Sequence, residues 1–372
     1  MRIGFDAKRA FFNNTGLGNY SRSTINALCR LFPENDHFLY TPSKGKHVIY
    51  SPPKNATVRL PSTIWGSQLK SYWRTYGLGN QLAKEKIEIY HGLSNEIPVG
   101  IERTEVKSIV TIHDLIFMRL PGLYPPIDRR IYEKKVRNAV KNADRVIAIS
   151  RQTKEDLLEL FDADEDKIRV LYQGCNPWFY HRETDEQRTI IRKKYNLPAN
   201  YLLYVGTIEE RKDLLTIVRA IHENKIDMPL VAIGGKTPYY VKVRQYIEQH
   251  CVNNIHFYHH ISNSDLPAIY QQAEAFIYPS HYEGFGIPVL EALNSGIPVI
   301  TTRGGCLEET AGKGGLFIDA GDADQLAESI RRLIEDRGLR QKLVEEGARH
   351  ALHFREEETI PELIKVYREC LI

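Results

Sequence analysis

The sequence is short of the features that mark several special classes of protein. Its five cysteines are odd in number and far apart, and no Cys-x-x-Cys pair suggests a disulfide framework or a zinc site. No apolar run approaches the roughly 20 residues that cross a bilayer. The first six residues read as the start of a strand, without the basic and apolar regions of a signal peptide. We therefore expect a cytoplasmic protein whose contact with membranes, if any, is peripheral.

A large excess of one charge is also lacking. The net charge is +3 over 372 residues, which is too small to indicate nucleic acid as a partner. One segment departs from this balance, because residues 119–145 hold eight Lys or Arg against three acids. Two interpretations stay open for it: a solvated helix face, or a surface that docks on the anionic inner face of the membrane near a lipid-linked acceptor.

Short apolar runs alternate with longer helical patterns along nearly the whole chain, which is typical of parallel sheets with crossover helices. We predict the α/β class. In the first half, strands are predicted near residues 2–5, 38–40, 87–90, 108–112, 145–149 and 167–171. In the second half, they are predicted near residues 201–205, 230–233, 255–258, 275–278, 299–301 and 316–318.

The length favours two domains, at roughly 150 residues each. A Gly- and Pro-containing run at residues 172–177 and the charged segment 181–194 interrupt the alternation, so we place the boundary there. The prediction is two doubly wound, Rossmann-like domains, residues 1–178 and 179–355. Ligands of open parallel sheets bind outside the carboxyl ends of the strands, so residues that directly follow strands are the candidates for a site.

The clearest motif is Tyr-Pro-Ser-His-Tyr-Glu-Gly-Phe-Gly-Ile-Pro-Val-Leu-Glu at residues 278–291, which leaves a strand and enters a helix. It holds two carboxylates. Glu291 lies among apolar residues, and a buried charge there needs either a basic partner or the hydroxyls of a ligand. Glu283 precedes the helix, where backbone N–H groups can hold an anion or a hydroxylated ligand. The alternative is a carboxylate that simply complements the helix dipole.

A second motif follows the strand at residues 201–205. Gly206 ends the strand, and Arg211 and Lys212 come directly before a helix that Asp213 is placed to cap. Cations are unfavourable at the N-terminus of a helix unless an anion joins them, so the pattern indicates phosphate binding. The alternative is neutralisation by the neighbouring acids at positions 209 and 210.

Two further candidates lie in the first half. A glycine loop between the first strand and its helix lets the backbone approach a ligand, with Gly16 as the expected contact. It is a poor dinucleotide fingerprint, because Ser21 stands where a third glycine is required. His113 directly follows a predicted buried strand. A ligand contact and a structural histidine oriented by Asp114 both stay open for it.

Together these residues resemble glycosyltransferase family 4, a family of retaining enzymes with the GT-B fold. The resemblance covers essentially the whole chain. Its most specific element is the pair Glu283 and Glu291, separated by seven residues, with Gly-Phe-Gly between them. It implies two facing Rossmann-like domains with the cleft between them. It also implies that the terminal helix, residues 356–372, joins the first domain.

The resemblance also implies roles for individual residues. Glu291 would bind the ribose of the donor nucleotide, and Glu283 would hold hydroxyls of the donor sugar. Arg211 and Lys212 would clasp the diphosphate, and His113 would face the transferred sugar. The implied catalytic residues are His113, Glu283, Arg211 and Lys212. The implied donor-binding residues are Gly16, Gly206, Arg211, Lys212, Tyr258, Ile261, Glu283, Gly284, Phe285, Gly286, Ile287 and Glu291.

The implied reaction moves a hexose from a nucleotide-diphosphate sugar to a saccharide or lipid-linked saccharide. The acceptor attacks from the face that the nucleotide leaves, and no protein nucleophile takes part. A likeness to bacterial mannosyltransferases of surface-polysaccharide and lipopolysaccharide assembly favours GDP-mannose. A UDP-sugar donor stays open, as does a sugar-nucleotide epimerase or hydrolase. A nicotinamide-dependent oxidoreductase and a non-catalytic binding module are the alternatives from other classes.

No metal or cofactor is expected. Two Asp-x-Asp triplets, beginning at Asp162 and Asp322, look like an acidic turn and a helix N-cap. The histidines at positions 256, 259 and 260 lack other ligands at suitable spacing. Four aromatic residues at roughly helical spacing, Trp65, Tyr72, Trp73 and Tyr76, predict core packing, with stacking on acceptor sugars or contact with lipid as the alternatives.

Overall fold

The computed structural model describes residues 1–43, 49–62 and 69–372. The chain forms two compact units: unit 1 is Met1–Gln173 with Glu356–Ile372, and unit 2 is Gly174–Arg355. The division falls before residues 174–178, which we had expected in the first domain. Their neighbours explain the difference, since Asn294 Nδ2 donates to Cys175 Sγ over 3.5 Å and the Phe179 ring packs edge-on against Tyr270.

Unit 1 contains a parallel sheet of seven strands in the order β3-β2-β1-β4-β5-β6-β7. The strands are β1 Arg2–Asp6, β2 Asp36–Tyr40, β3 Ala56–Arg59, β4 Ile89–Gly92, β5 Lys107–Ile112, β6 Arg145–Ala148 and β7 Ile168–Val170. β3 is not among the predicted strands. It is a four-residue strand at the edge of the sheet, and its sequence, Ala-Thr-Val-Arg, lacks the apolar run on which the prediction rests.

Helices cover both faces of this sheet, with a buried apolar cluster on each side. They are α1 Lys8–Phe12, α2 Gly16–Leu31, α3 Lys70–Tyr72, α4 Leu78–Lys84, α5 Ile116–Arg119, α6 Pro126–Asn142 and α7 Arg151–Phe161. A π-helical turn, Trp73–Gly77, joins α3 to α4. Short 3-10 turns occur at Ile101–Arg103, Pro121–Leu123 and Glu165–Lys167.

Unit 2 contains a second parallel sheet, of six strands in the order β10-β9-β8-β11-β12-β13. The strands are β8 Leu202–Val205, β9 Leu230–Ile233, β10 Ile255–Tyr258, β11 Ala275–Tyr278, β12 Val299–Thr302 and β13 Gly315–Ile318. All six lie where they were predicted. The sheets of both units therefore confirm the α/β class with two Rossmann-like sheets.

The helices of unit 2 connect these strands. They are α8 Asp185–Tyr195, α9 Leu214–Glu223, α10 Pro238–Gln249, α11 Leu266–Tyr270, α12 Ile287–Ser295, α13 Gly305–Ala311, α14 Ala323–Glu335 and α15 Arg337–Ala351. The 3-10 turns are Pro177–Tyr180, Glu210–Lys212, Gly312–Gly314 and Leu352–Phe354. Both expected caps are present: Asp213 begins α9, and Asp322 Oδ1 accepts the N–H groups of Asp324 and Gln325 at the start of α14.

The last helix, α16 Glu356–Leu371, returns to unit 1. Its Ile360, Leu363 and Ile364 side chains are buried in one of the two apolar clusters of that unit. The Tyr367 hydroxyl lies 2.6 Å from His91 Nδ1 on β4. Within the described ranges, no helix is both long enough and apolar enough to cross a membrane.

Candidate functional site

Glu283 lies in the turn between β11 and α12, at the carboxyl edge of the sheet of unit 2. Its side chain is only 13% exposed, and its Oε1 accepts hydrogen bonds from the Tyr278 hydroxyl at 2.8 Å and from Ser280 Oγ at 3.0 Å. Arg211 Nη1 lies 2.6 Å from Oε2, and Lys212 Nζ lies 4.0 Å from Oε1. Burial alone raises the pKa of Glu283, but the charges of Lys212 and Arg211 outweigh it and hold the pKa below its usual value. Glu283 is therefore ionised.

Arg211 lies in the 3-10 turn that follows β8, and β8 is the strand next to β11 in the sheet. It is 11% exposed and also pairs with Glu209 Oε1 at 2.6 Å, while its Nη1 donates to the Tyr282 carbonyl. Burial disfavours the Arg211 charge, but Glu283 raises its pKa above the ordinary value. The structure thus brings the two predicted motifs together. It also shows the predicted neutralisation by Glu209, with Glu283 as a second, unpredicted partner.

Lys212 and Gly206 lie beside this pair. Lys212 Nζ is 5.5 Å from the centre of the Tyr278 ring, and a Cβ on Gly206 would lie 3.4 Å from both Nζ of Lys212 and Cε2 of Tyr278. The Gly206 N–H donates to the Ile233 carbonyl over 2.9 Å. Both are ordinary contact distances, so Lys212 and Tyr278 border Gly206 at the end of β8.

Glu291 lies in the second turn of α12. Its Oε2 accepts a hydrogen bond from the Tyr270 hydroxyl at 3.0 Å, and burial raises its pKa to about 7. The sequence left two kinds of partner open for Glu291, a basic side chain or a ligand. Among the described residues, no Lys, Arg or His lies within 4.0 Å of the Glu291 carboxylate. The apolar neighbours of Glu291 in the sequence favour a buried helix, but Ile287, Pro288 and Glu291 of α12 are only partly buried. This side of the helix can therefore meet a ligand.

The Gly-Phe-Gly turn between the two glutamates is held in place by contacts with later elements of unit 2. The Phe285 carbonyl accepts a hydrogen bond from Thr310 Oγ1 at 2.8 Å, and its ring packs edge-on against Phe354. Gly286 takes a φ of +119°, and a Cβ there would lie 2.8 Å from Leu307 Cδ2. Both facts require glycine at 286 and fix the direction in which α12 starts.

The neighbouring strand ends complete this edge of the sheet. The Gly234 N–H donates to the Tyr258 carbonyl at 3.0 Å, and a Cβ on Gly234 would lie 2.0 Å from the Gly206 carbonyl oxygen. The Tyr258 hydroxyl donates to the Asn196 carbonyl, and Ile261 is partly exposed. Gly234 was not among the predicted site residues, although the Gly-Gly pair after β9 is the signal that could have identified it.

A second feature that the sequence did not reveal is the pairing of His281 with Asp213. His281 Nε2 lies 3.0 Å from Asp213 Oδ2, and the His281 N–H donates to the Arg211 carbonyl at 2.8 Å. The hydrogen bond to Asp213 raises the pKa of His281. Asp213 itself has a φ of +46°, directly after Lys212. His281 therefore braces the turn that carries both cations.

In unit 1, the glycine loop begins α2. Asn13 Oδ1 accepts hydrogen bonds from Thr15 N at 2.8 Å and from Gly18 N at 3.2 Å. A Cβ on Gly18 would lie 1.8 Å from the Asn13 carbonyl oxygen, whereas a Cβ on Gly16 would meet nothing within 4 Å. Gly18 thus has a structural reason to be glycine. Gly16 is exposed at the first turn of the helix, open to a ligand.

His113 follows β5 and is 5% exposed. Its Nε2 lies 2.8 Å from the Leu93 carbonyl, its backbone N–H donates to Asn95 Oδ1, and Tyr20 packs edge-on against its ring. Burial lowers the pKa of His113 to about 4, so the ring is neutral at pH 7. Because a carbonyl only accepts hydrogen bonds, Nε2 carries the proton and Nδ1 is left as an acceptor. A sugar hydroxyl is a suitable donor to it.

Two of the predicted aromatic residues are exposed near the π-helical turn. Tyr72 is 61% and Tyr76 is 49% exposed, and their ring centroids are 5.1 Å apart. Trp73 is buried, as core packing requires, and its Nε1 donates to Gln81 Oε1. Trp65 lies outside the described residues. The exposed pair leaves stacking on a saccharide open for this part of unit 1.

The basic segment of unit 1 forms the turn after α5 and helix α6. Leu123, Ile127 and Ile131 recur at intervals of four and are 46%, 72% and 46% exposed, and Tyr132 beside them is 41% exposed. Arg130 and Lys134 are exposed on the same helix. An exposed apolar stripe flanked by cations is the pattern of a helix that lies in a membrane interface. A solvated face does not require the apolar stripe.

A metal site was not expected. Of the residues that the structure describes, no group of three or more His, Cys, Asp or Glu is arranged to hold a metal ion. His259, from the histidine cluster, instead lies with Nδ1 2.7 Å from the Gly234 carbonyl. Whether the reaction depends on a metal stays a prediction.

Two family models match the chain, one in each half. Residues 15–179 match the model described as Glycosyltransferase Family 4, and residues 187–350 match the model described as Glycosyl transferases group 1. The match to the family 4 model confirms the resemblance described above. The motif of Glu283 and Glu291, which carries most of that resemblance, lies within the residues that the group 1 model matches.

Relatives and a solved structure agree with these matches. The chain is 28% identical over 285 residues to O-antigen chain mannosyltransferase B of Escherichia coli, which covers 75% of this chain and 74% of that protein. It is 25% identical over 280 residues to O-antigen chain mannosyltransferase RfbU of Salmonella typhimurium, covering 74% and 72%. The structure of Anabaena Alr3699/HepE in complex with UDP and glucose has a TM-score of 0.74 at 15% identity, covering 99% of each chain, and so shares the fold.

Proposed function

This chain belongs to the glycosyltransferases that combine a family 4 domain with a group 1 domain, and on that premise we propose that it is a mannosyltransferase using GDP-mannose. The acceptor is a glycan or a lipid-linked saccharide. The anomeric configuration is retained, no metal is required, and the departing phosphate takes the proton of the attacking hydroxyl. The names of the two bacterial relatives support mannose and a surface polysaccharide as the starting point.

The observation that carries the proposal is the grouping of Arg211, Lys212 and Glu283 at the ends of neighbouring strands. Negative charge accumulates on the diphosphate as the bond to the sugar breaks, and positioned cations stabilise that charge most effectively in a site with little water. Without a ligand, Glu283 neutralises the cations. With the donor bound, Arg211 and Lys212 contact the diphosphate, and Glu283 accepts hydrogen bonds from sugar hydroxyls.

The remaining donor contacts follow from the same edge of the sheet. Glu291, with Tyr270 as its hydrogen-bond donor, has an oxygen to spare for the ribose hydroxyls. Residues 284–287 and Gly206 offer backbone contacts to the sugar and the diphosphate, and the strand end at Tyr258 and Ile261 lies where the base would be recognised. In unit 1, we propose His113 Nδ1 as an acceptor for a sugar hydroxyl and Gly16 as a backbone contact.

We also propose a peripheral contact between α6 and an anionic membrane surface. Its exposed isoleucines would enter the interface, and its lysines and arginines would meet the lipid headgroups. Such a contact places unit 1 beside a lipid-linked acceptor.

One alternative has an observation of its own. The Anabaena neighbour was solved with UDP and glucose, so a UDP-sugar donor is the second candidate. A sugar-nucleotide epimerase on the same fold would turn over the donor without any acceptor, and product analysis with and without acceptor separates it from a transferase.

The first test is a thermal-shift titration of the whole chain with GDP, UDP and ADP. At 100 times its Kd, a bound nucleotide stabilises the folded state by about 2.7 kcal/mol. We expect GDP to raise the unfolding midpoint of the wild type, and Arg211→Ala and Glu291→Ala to remove that shift. Arg349→Ala is the matched control, because Arg349 is exposed and pairs with Glu346 one turn earlier on α15.

The outcomes separate the candidates. A shift with UDP alone replaces GDP-mannose by a UDP-sugar. If no nucleotide shifts the midpoint, or if Arg211→Ala and Glu291→Ala keep the wild-type shift, the proposed donor site is wrong. Retention is checked by the anomeric configuration of the product, and metal independence by turnover in excess EDTA.

A further inference from the structure

A cluster of charged side chains that the proposed function does not use lies at the carboxyl edge of the sheet of unit 1. Its members are Asp6, Lys8, Arg9, Arg74, Glu96 and Lys135. Asp6 ends β1, Glu96 follows β4, and Arg74 projects from the π-helical turn Trp73–Gly77. This edge is where a parallel sheet binds its ligands, and π-helical turns are frequent at functional sites.

The two carboxylates of this cluster are already neutralised. Arg74 Nε and Nη2 donate to Asp6 Oδ2 at 2.9 and 2.8 Å, and Nη2 also contacts Glu96 Oε1. Lys135 Nζ lies 2.9 Å from Glu96 Oε2. Asp6 is 2% and Arg74 is 11% exposed, so these pairs are held tightly. Arg74 is shared by both acids and Lys135 also pairs with Glu96, so two cations balance the two acids.

Lys8 and Arg9 have no such close partner. Both side chains are partly buried, and within the described part of the chain no carboxylate lies within 4.0 Å of either cation. Arg9 Nε is buried and has no hydrogen-bond partner there. Burial, with the charge of Arg74 as the next cause, lowers the pKa of Lys8, and the carboxylates of Glu96 and Asp6, which lie beyond ion-pair distance, offset only part of this effect. An anion would remove both the repulsion and the unsatisfied donor.

We infer that Lys8 and Arg9 bind a phosphate group, and that in the reaction this group belongs to the acceptor. The inference rests on the proposed function, because it names the chemistry of the acceptor. An arginine and a lysine side by side match a phosphate ester or diphosphate, which presents several oxygens and up to two charges.

The donor diphosphate is the other source of the same chemistry. Its charge already has partners in unit 2, where Arg211 and Lys212 are proposed to bind it. The test therefore compares two probes on the whole chain: inorganic phosphate, and the nucleoside diphosphate that stabilises the wild type. Affinities are measured by calorimetric titration at fixed ionic strength in a buffer without phosphate.

The decisive variant is Lys8→Gln/Arg9→Gln, measured beside Arg211→Ala. We expect the double variant to lose phosphate affinity by at least about ten-fold, since two charge-assisted contacts are removed. Its affinity for the nucleotide should stay within two-fold of the wild type. Arg211→Ala should show the reverse pattern. Lys54→Gln, which changes an exposed lysine of unit 1 away from the cluster, should change neither affinity.

Two results would overturn the inference. Unchanged phosphate affinity in the double variant removes the site, and an equal loss of phosphate and nucleotide affinity assigns the two cations to the donor instead. If the double variant does not fold, Lys8→Gln alone relieves repulsion by Arg74 and is expected to weaken phosphate binding about three-fold. Failure of every nucleotide to bind the wild type contradicts the proposed donor, and the phosphate affinity of Lys8→Gln/Arg9→Gln compared with the wild type still tests this site.

Discussion

At the scale of the residue, Glu291 and Glu283 occupy opposite electrostatic environments within one turn and one helix. Burial raises the pKa of Glu291 from 4.5 to about 7, whereas the nearby cations hold the pKa of Glu283 below its usual value. Folding therefore favours the protonated form of Glu291 and the ionised form of Glu283. Glu291 lowers the free energy of unfolding as pH rises above 4.5, because its carboxyl ionises more readily in the unfolded chain. This destabilisation is complete above about pH 7. The contribution of Glu283 is lost as pH falls through its lowered pKa.

This difference predicts opposite effects for two matched substitutions. At pH 8, Glu291→Gln should raise the free energy of unfolding by up to about 3 kcal/mol, since one pKa unit corresponds to 1.36 kcal/mol. At pH 4.5 it should change little. Glu283→Gln should lower the free energy of unfolding at pH 8, because it removes the buried carboxylate that Arg211 and Lys212 share and leaves Glu209 as the one remaining acid paired with Arg211 among the described residues. Urea unfolding at both pH values measures this, and a pH-independent effect of Glu291→Gln would contradict it.

The residue scale also shows where sequence reasoning was sufficient. The sequence predicted that Arg211 and Glu283 follow strands of the same parallel sheet and that Glu291 lies in the helix after the second of these strands. The structure has all three in these positions, at the carboxyl edge of the sheet of unit 2. The pairing of Arg211 with Glu283 and of Asp213 with His281 could not be predicted. Such contacts join residues some 70 positions apart, and their partner is chosen by side-chain geometry that periodicity does not contain.

At the scale of the element, α6 is the helix whose exposed face is most unusual. Ile127 and Ile131 of α6 and Leu123 of the preceding 3-10 turn form an apolar stripe with cations beside it, and all three side chains are exposed. Charged interfacial helices bind anionic bilayers through burial of their apolar side chains and through attraction between their cations and the lipid headgroups. The attraction weakens as the salt concentration rises. The face is therefore suited to a reversible contact.

We predict that Ile127→Asp/Ile131→Asp weakens binding to phosphatidylglycerol vesicles by at least about ten-fold, because two inserted side chains are replaced by anions. The thermal midpoint should not fall, since both positions are exposed. Ile190→Asp, at a 50% exposed position on α8 of unit 2, is the control. Vesicle sedimentation measures the bound fraction. Equal binding of the double variant and the wild type would show that α6 is an ordinary solvated helix.

Elements were predictable where a strand carries a largely apolar run, and not where it lacks one or departs from regular geometry. The six strands of unit 2 were all predicted, including the edge strand β10, Ile-His-Phe-Tyr, which has no fully buried residue. β3, at the edge of the sheet of unit 1, has no such run, and the π-helical turn Trp73–Gly77 has no signature in hydrophobic periodicity. The missed turn is the one that carries Arg74, so the phosphate-binding cluster could not be found from the sequence.

At the scale of the whole molecule, α16 determines the composition of unit 1. Four of its side chains, Ile360, Leu363, Ile364 and Tyr367, are buried in the core of that unit. Glu356 accepts a hydrogen bond from Ser23 at 2.6 Å and pairs with Arg30 at 2.7 Å, both on α2. The boundary was predicted at residue 178 from the Gly- and Pro-containing run at residues 172–177. The division between residues 173 and 174 lies within that run.

Ending the chain at residue 355 should therefore unfold unit 1 and leave unit 2 folded. Removal of four buried side chains, worth roughly 1.5–3 kcal/mol each, approaches or exceeds the roughly 5–15 kcal/mol stability of a typical domain. Limited proteolysis should then degrade residues 1–173 and protect residues 174–355. Deletion of Ile372 alone, which is fully exposed, is the control. Equal protection of both units in the truncated chain would contradict this role of α16.

The return of α16 also has a consequence for biosynthesis. Unit 2 is one continuous segment, whereas unit 1 is assembled from the first 173 residues and the last 17. On the ribosome, the N-terminal part of unit 1 must wait while the 182 residues of unit 2 are made, which takes roughly 10–40 s at ~5–20 residues per second. During that interval the surface that α16 will cover is open, so the second unit can complete its fold before the first. Chaperone dependence in this enzyme should accordingly be concentrated on the half that is synthesised first.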